Sequence, residues 1–145
     1  GLHFFRTQAR CMNCHHGPLF TDGQFHNIGL TYFSRKYEDL GRFVVTKDTA
    51  DIGKFKTPSL RDVAATAPWM HNGLFSDLLG IVNLYNSGMP NPPKTEAQKN
   101  DPMYPVTSKH IKSLDLTIDQ RKDIVAFLHS ISTTPLRVRN PELPK

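Results

Sequence analysis

The sequence predicts a mostly α-helical fold with long loops and little or no sheet. Three observations predict it. Two segments, 77–85 and 117–132, carry apolar residues at helical spacing. The stretch before the cysteine pair reads as a helix, so that residues 4–14 form one element delivering both thiols. Eleven Pro and nine Gly among 145 residues imply long connections, and a hydrophobic content of 38% leaves a lean core.

The elements follow in order. His16 to Leu30 is rich in Gly, Pro, Asp and Asn and reads as loop. Gly41-Arg42-Phe43-Val44-Val45-Thr46 reads as a short extended stretch. Thr57 and Pro58 suit the cap and first position of a helix running from Ser59 to about Ala65. In the helix from Asp77 to Tyr85, Leu78, Ile81, Val82 and Tyr85 share one face. Residues 87–109 hold Gly88, Pro90, Pro92, Pro93, Pro102 and Pro105 and form a polar excursion without periodicity. Thr117 caps the last helix, and Ile124, Phe127, Leu128 and Ile131 form its apolar stripe. The organisation expected is one domain, 1–134, followed by an extended Pro-rich tail, 135–145.

The chemistry is concentrated in Cys11-Met12-Asn13-Cys14-His15, which uses both cysteines of the chain. Two thiols at this spacing can add across the two vinyl groups of a haem, and the next residue, His15, can bind its iron from the proximal side. This is the c-type haem attachment pattern, and it points to iron redox chemistry on a c-type cytochrome fold. The residues alone leave rivals. A thioredoxin-like dithiol would want a preceding strand, and zinc would want two further ligands, for which His16 and His26 are available. A Cys11–Cys14 disulfide would close only a tiny loop. The second axial position, which decides the chemistry of a haem, is open among Met12, Met70, Met89, Met103, Tyr85 and the other histidines.

The net charge of +5 is spread over scattered cations, with clusters at Arg35-Lys36 and Lys109 to Lys112. A solvated surface is the simple reading; steering of an acidic redox partner is the functional one. Nucleic-acid binding is disfavoured, because no basic stripe interleaves with aromatics. No stretch approaches the roughly 18 apolar residues of a membrane span. No signal peptide is present, and Gly1-Leu2-His3-Phe4-Phe5 reads as the middle of a helix. A trimmed, exported chain is expected, since bacterial haem c attachment takes place outside the cytoplasm.

Five ordered blocks carry a resemblance to a known family: Cys11 to Phe20, Gly41 to Thr46, Phe55 to Ala64 (FKTPSLRDVA), Thr66 to Gly73 (TAPWMHNG) and Asp123 to Leu128. Together they resemble the C-terminal haem domain of the bacterial di-haem cytochrome c peroxidases and MauG-type enzymes. The resemblance implies one covalent haem c held by Cys11, Cys14 and His15. It implies Arg61 near the haem propionates, His71 packed near the haem, and Trp69 as a core aromatic. In the peroxidases a methionine fourteen residues beyond the His-Asn-Gly histidine is the distal ligand. Counting from His71 reaches Tyr85, and MauG-type enzymes are similar in having a tyrosine there. Tyr85 is therefore the expected distal iron ligand, with Met89 as the rival, disfavoured by its neighbours Gly88 and Pro90. The carbonyls of Thr66 and Pro68 match positions that help hold a calcium ion between the family's two haem domains.

The function implied is electron transfer within a cytochrome c peroxidase-like oxidoreductase that reduces hydrogen peroxide. This chain would relay electrons to a peroxidatic haem in an N-terminal domain, and alone it would not be catalytically complete. The alternatives are a domain of a MauG-like oxidase and a free-standing electron-transfer cytochrome. The expected partners are that N-terminal haem domain and a small redox donor, a cytochrome c or cupredoxin. A homodimer is also expected, and the location expected is the periplasm.

Overall fold

The computed structural model describes residues 1–90 and 94–133. The proposed tail, 135–145, and residues 91–93 of the excursion lie outside the described residues. Five helices run in the order α1 (Leu2–Arg6), α2 (Phe43–Thr46), α3 (Leu78–Asn86), α4 (Glu96–Lys99) and α5 (Ile118–Ser130). The sheet among the described residues is one antiparallel pair, β1 (Phe25–His26) and β2 (Phe55–Lys56), with Phe25 opposite Lys56 and His26 opposite Phe55. The architecture is the expected one, mostly helix and loop.

The core is built where α1 and α3 pack on α5. It buries Phe5 and Ala9 with Leu78 and Val82 of α3, Leu116, and Ile124 and Leu128 of α5. Both long helices start on side-chain caps. The Asp77 carboxylate accepts from the Leu79 and Gly80 amides at 3.2 and 2.7 Å. Thr117 and Gln120 form a reciprocal capping box that satisfies two otherwise orphaned donors of α5. The 87–109 excursion carries a similarly capped single turn, α4, whose Thr95-x-x-Gln98 box sits in a stretch without apolar periodicity. The chain then returns to α3: Leu116 N–H donates to Asn86 Oδ1 at 2.8 Å, and Leu114 N–H to the Asn86 carbonyl at 3.0 Å.

Three local expectations fail, each because side chains or tertiary partners divert the backbone. The 4–14 helix ends at Arg6; the Thr7 hydroxyl and amide both cap the His3 carbonyl, Arg10 turns left-handed (φ 54°), and Cys11–Asn13 forms a separate 3-10 turn. Residues 43–46 coil into α2, although β-branched Val44 and Val45 favour an extended chain. Arg42 anchors that turn, with its amide on the Lys54 carbonyl and its Nε 2.9 Å from Asp51. The 59–65 helix shrinks to a 3-10 turn at Val63–Ala65. Here Ser59 donates to the Leu19 carbonyl and accepts from the Arg61 amide, and Asp62 adopts φ 58°. Such short polar side chains offer the backbone alternatives to the helix.

Asp62 also fastens the end of α5. Its Oδ1 accepts from the Thr133 amide and hydroxyl at 2.6 and 2.7 Å. These bonds, the amide's first, hold its pKa below the ordinary carboxylate value. A group with a depressed folded-state pKa stabilises the fold above its unfolded pKa and loses that contribution as pH falls through the folded value. Asp62→Asn should therefore melt below wild type at neutral pH, with the gap closing only below about pH 4. Paired thermal melts from pH 7 to pH 3 check this; a gap independent of pH would exclude the carboxylate as its source.

Candidate functional site

Local geometry gathers the sequence-predicted site around the 3-10 turn. Arg10 enters it left-handed, and the His15 amide closes it on the Cys11 carbonyl at 2.8 Å. Cys11 and Cys14 are both free and half-buried. Burial pushes the Cys11 thiol up to about 12, with the Cys14 thiol adding to the effect. Burial and the Asp22 carboxylate push Cys14 up to about 11. Both therefore stand as protonated thiols at neutral pH.

The imidazole of His15 is oriented from behind. Its Nδ1 lies 2.9 Å from the Phe20 carbonyl, and the Pro58 carbonyl also lies against the ring. A carbonyl can only accept, so Nδ1 carries the proton and Nε2 presents a free lone pair, the arrangement metal-bound histidines use. Burial lowers the pKa of His15 against those hydrogen bonds, which keeps the ring neutral and ready to ligate.

The orienting carbonyl is itself held by packing. The Phe20 ring meets Phe5 of α1 at 6.0 Å and Phe127 of α5 at 5.8 Å, and those two rings meet each other at 5.0 Å. Arg61 lies over the Phe20 ring, 5.0 Å from its centroid, and its Nε donates to the Pro18 carbonyl at 2.9 Å. Arg61 thus clamps the loop following the motif and is exposed. Neither the Phe20 nor the Pro58 carbonyl was legible as a site feature in the sequence, because backbone acceptors leave no residue signature.

Tyr85 lies in the last turn of α3. Burial raises its phenol well above the ordinary value, and the Cys11 and Cys14 thiols add to the shift. The two thiols are thus within electrostatic range of the Tyr85 hydroxyl. Met89 is 5% exposed and follows the end of α3 with φ 60°, its amide bonded to the Leu84 carbonyl at 2.8 Å. His71 is stacked on Phe55, with centroids 3.6 Å apart and planes 11° apart. Thr66 and Pro68 are exposed on the turn where the Trp69 indole donates to the Val63 carbonyl at 2.8 Å.

A pair the sequence reading did not single out together lies beside Cys14: His26 Nε2 is 2.7 Å from Asp22 Oδ2. Spacing i, i+4 on a helix would have advertised it; here the two residues are in a loop and a strand.

Two thiols, an imidazole with Nε2 free and a half-buried phenol form a donor set that fits a covalently attached haem. The thiols match its vinyl groups and the imidazole matches one axial position. His15 would hold the iron, Cys11 and Cys14 the porphyrin edge.

No family model matches the chain. It is 36% identical over 173 residues to the cytochrome-c peroxidase IdrP1 of Denitromonas iodatirespirans, covering 99% of this chain and 43% of that protein. It is 34% identical over 146 residues to the methylamine utilization protein MauG of Methylorubrum extorquens, covering 99% and 37%. Among solved structures, a MauG-like protein associated with microbial copper homeostasis superposes with a TM-score of 0.75 at 29% identity, over 90% of this chain and 45% of that one. The chain thus spans about two-fifths of the length of the curated relatives it matches.

Proposed function

The chain belongs to the family of bacterial cytochrome c peroxidases and MauG proteins, and from that premise we propose that it is an electron-transferring haem c domain of a di-haem oxidoreductase. Residues 1–134 would form the domain. When bound, the haem supplies one-electron redox chemistry. The residues of the chain would hold it: two thiols for attachment, with His15 and Tyr85 as the candidate iron ligands.

The observation that carries this reading is the His15 geometry. Its Nδ1–H is committed to the Phe20 carbonyl, so Nε2 keeps the lone pair, and two free thiols belong to the same turn. A dithiol oxidoreductase has no need of such a histidine. Arg61 anchors the loop that carries the Phe20 carbonyl, and its remaining guanidinium nitrogens suit a propionate. The carbonyls of Thr66 and Pro68 suit calcium only with further oxygens, because that ion takes six to eight; the partner domain would supply them.

A peroxidase reading of the whole protein follows from the relatives, with the peroxidatic haem on a second domain and a small donor protein delivering electrons. The periplasm fits, since haem attachment takes place outside the cytoplasm. No described helix is long and apolar enough to cross a membrane. The MauG-like alternative draws specific support from Tyr85, whose hydroxyl is coupled to the motif thiols where a peroxidase-type site would want a methionine.

Production of the chain alongside haem-attachment machinery tests the reading. One haem per chain is expected, resistant to acid–organic extraction, and lost when Cys11 and Cys14 are both replaced by Ser. The loaded chain should exchange electrons reversibly with a small donor cytochrome and show no peroxide turnover alone. Extractable haem, or none, would overturn the assignment.

A further inference from the structure

A second donor set overlaps the haem-attachment motif without coinciding with it. One ligand atom each from Cys14, Asp22 and His26 lie within 4.8 Å of one another, and all three residues are half-buried. We propose that the haem-free polypeptide binds one zinc-class divalent ion through Cys14 Sγ, an Asp22 carboxylate oxygen and His26 Nε2, and that haem attachment abolishes this site by consuming Cys14. The metal site itself stands apart from the proposed function; only its loss on haem attachment rests on that reading.

Zinc is four-coordinate with bond lengths of about 2.0–2.3 Å to such donors, so its ligand atoms stand roughly 3.3–3.7 Å apart. The atoms present need to move by less than about 1.5 Å to reach that spacing. The scaffold is already fixed. The Asp22 amide donates to the Cys14 carbonyl at 2.8 Å, the Asp22 side chain accepts from the Gln24 amide at 2.9 Å, and His26 is tied into β1 opposite Phe55. With its side chain 9% exposed, Asp22 is a carboxylate taken largely out of water. Burial opposes its ionisation, but hydrogen bonds from His26, Gln24 and Thr57 outweigh that and hold its pKa low.

Charge and protons balance. The ion displaces the Cys14 thiol proton to water and meets one thiolate and one carboxylate, so the inner set is neutral. His26, whose Nε2–H donates to Asp22 in the free site, exchanges that proton with water for one on Nδ1 and binds the ion through the Nε2 lone pair. The fourth position is left to water, as in sites with three protein ligands. Because a thiol must be deprotonated, affinity should rise with pH. His16, the other imidazole near the motif, is exposed and takes no part. Once Cys14 is a haem thioether it can no longer offer a thiolate, so ion and haem compete for the same sulfur.

The test uses the full haem-free chain with reduced thiols, titrated with cobalt(II) alone and then with zinc(II) in competition. One equivalent of cobalt should give an intense tetrahedral visible band and a sulfur-to-metal charge-transfer band. Cys11→Ser should bind as wild type does. Cys14→Ser should lose the charge-transfer band, and His26→Gln, which can still hydrogen-bond Asp22, should weaken binding at least tenfold. The haem-loaded chain should show neither band. Absence of stoichiometric binding would overturn the site, as would equal dependence on Cys11, the mark of a dithiol chelate, or undiminished binding by the loaded chain. Failure of the titration leaves covalent haem loading untouched, and failure of haem loading leaves the titration untouched.

Discussion

In the haem-loaded chain, Tyr85→Met should raise the reduction potential by hundreds of millivolts, a sizeable part of the roughly 0.8 V over which axial ligands move haem potentials. The direction follows from charge. A phenolate is anionic and favours the ferric state, whereas a thioether is neutral and soft and favours the ferrous state. The position follows from the fold. Asp77 caps α3 at its start, Leu78 and Val82 bury one face in the core, and Tyr85 sits in the last turn, one residue before the helix ends at Asn86. Burial and the two thiols raise its phenol pKa, so a bound iron would have to favour the phenolate against them. Potentiometry with the ferric spectrum checks this. Tyr85→Phe should lose the tyrosine-ligated ferric spectrum, and Met89→Leu should leave it intact. The reverse pattern would move the distal ligand to Met89, whose left-handed backbone beyond the helix end makes it the poorer candidate.

What the sequence disclosed and what it withheld divide along physical lines. The helix α5 was legible because cap and stripe agree, Thr117 with Ile124 and Leu128, and α3 because Leu78 and Val82 share one face, its Asp77 cap emerging only with the fold. The expected break at Gly88 also holds, since α3 stops at Asn86. The stretch from 4 to 14 read as one helix because its apolar residues run up to the motif, but Thr7 satisfies the His3 carbonyl locally and the chain turns. Ser59 and Asp62 defeated the 59–65 helix in the same way. At the site, residue types with a chemical signature, Cys11, Cys14 and His15, stood out at once. The parts that orient them did not. The carbonyls of Phe20 and Pro58 belong to the backbone, and the Asp22–His26 pair joins a loop to a strand, so no spacing rule foretells either.

Phe5→Ala should be the most damaging single core change, at about 3–5 kcal/mol. Phe5 is 1% exposed and among the largest fully buried side chains, and close-packed surroundings refill such a void only in part. Its expected effect goes beyond stability. The Phe5 ring is one of two that pin Phe20, and the Phe20 carbonyl takes the proton side of His15. A cavity at Phe5 therefore loosens the acceptor that fixes the imidazole tautomer and aim. Ile124→Val, 2% exposed in the same core but outside the aromatic trio, should cost about 0.5–1.5 kcal/mol and leave the ligand alone. Thermal melts of the loaded variants separate the stability costs. Axial-ligand spectra then separate the two roles: Phe5→Ala should shift the His15 signature and Ile124→Val should not. If both variants shift it in proportion to lost stability, the aromatic trio is ordinary core; if only Phe5→Ala does, the trio connects the packing of α1 on α5 to the orientation of the proximal histidine.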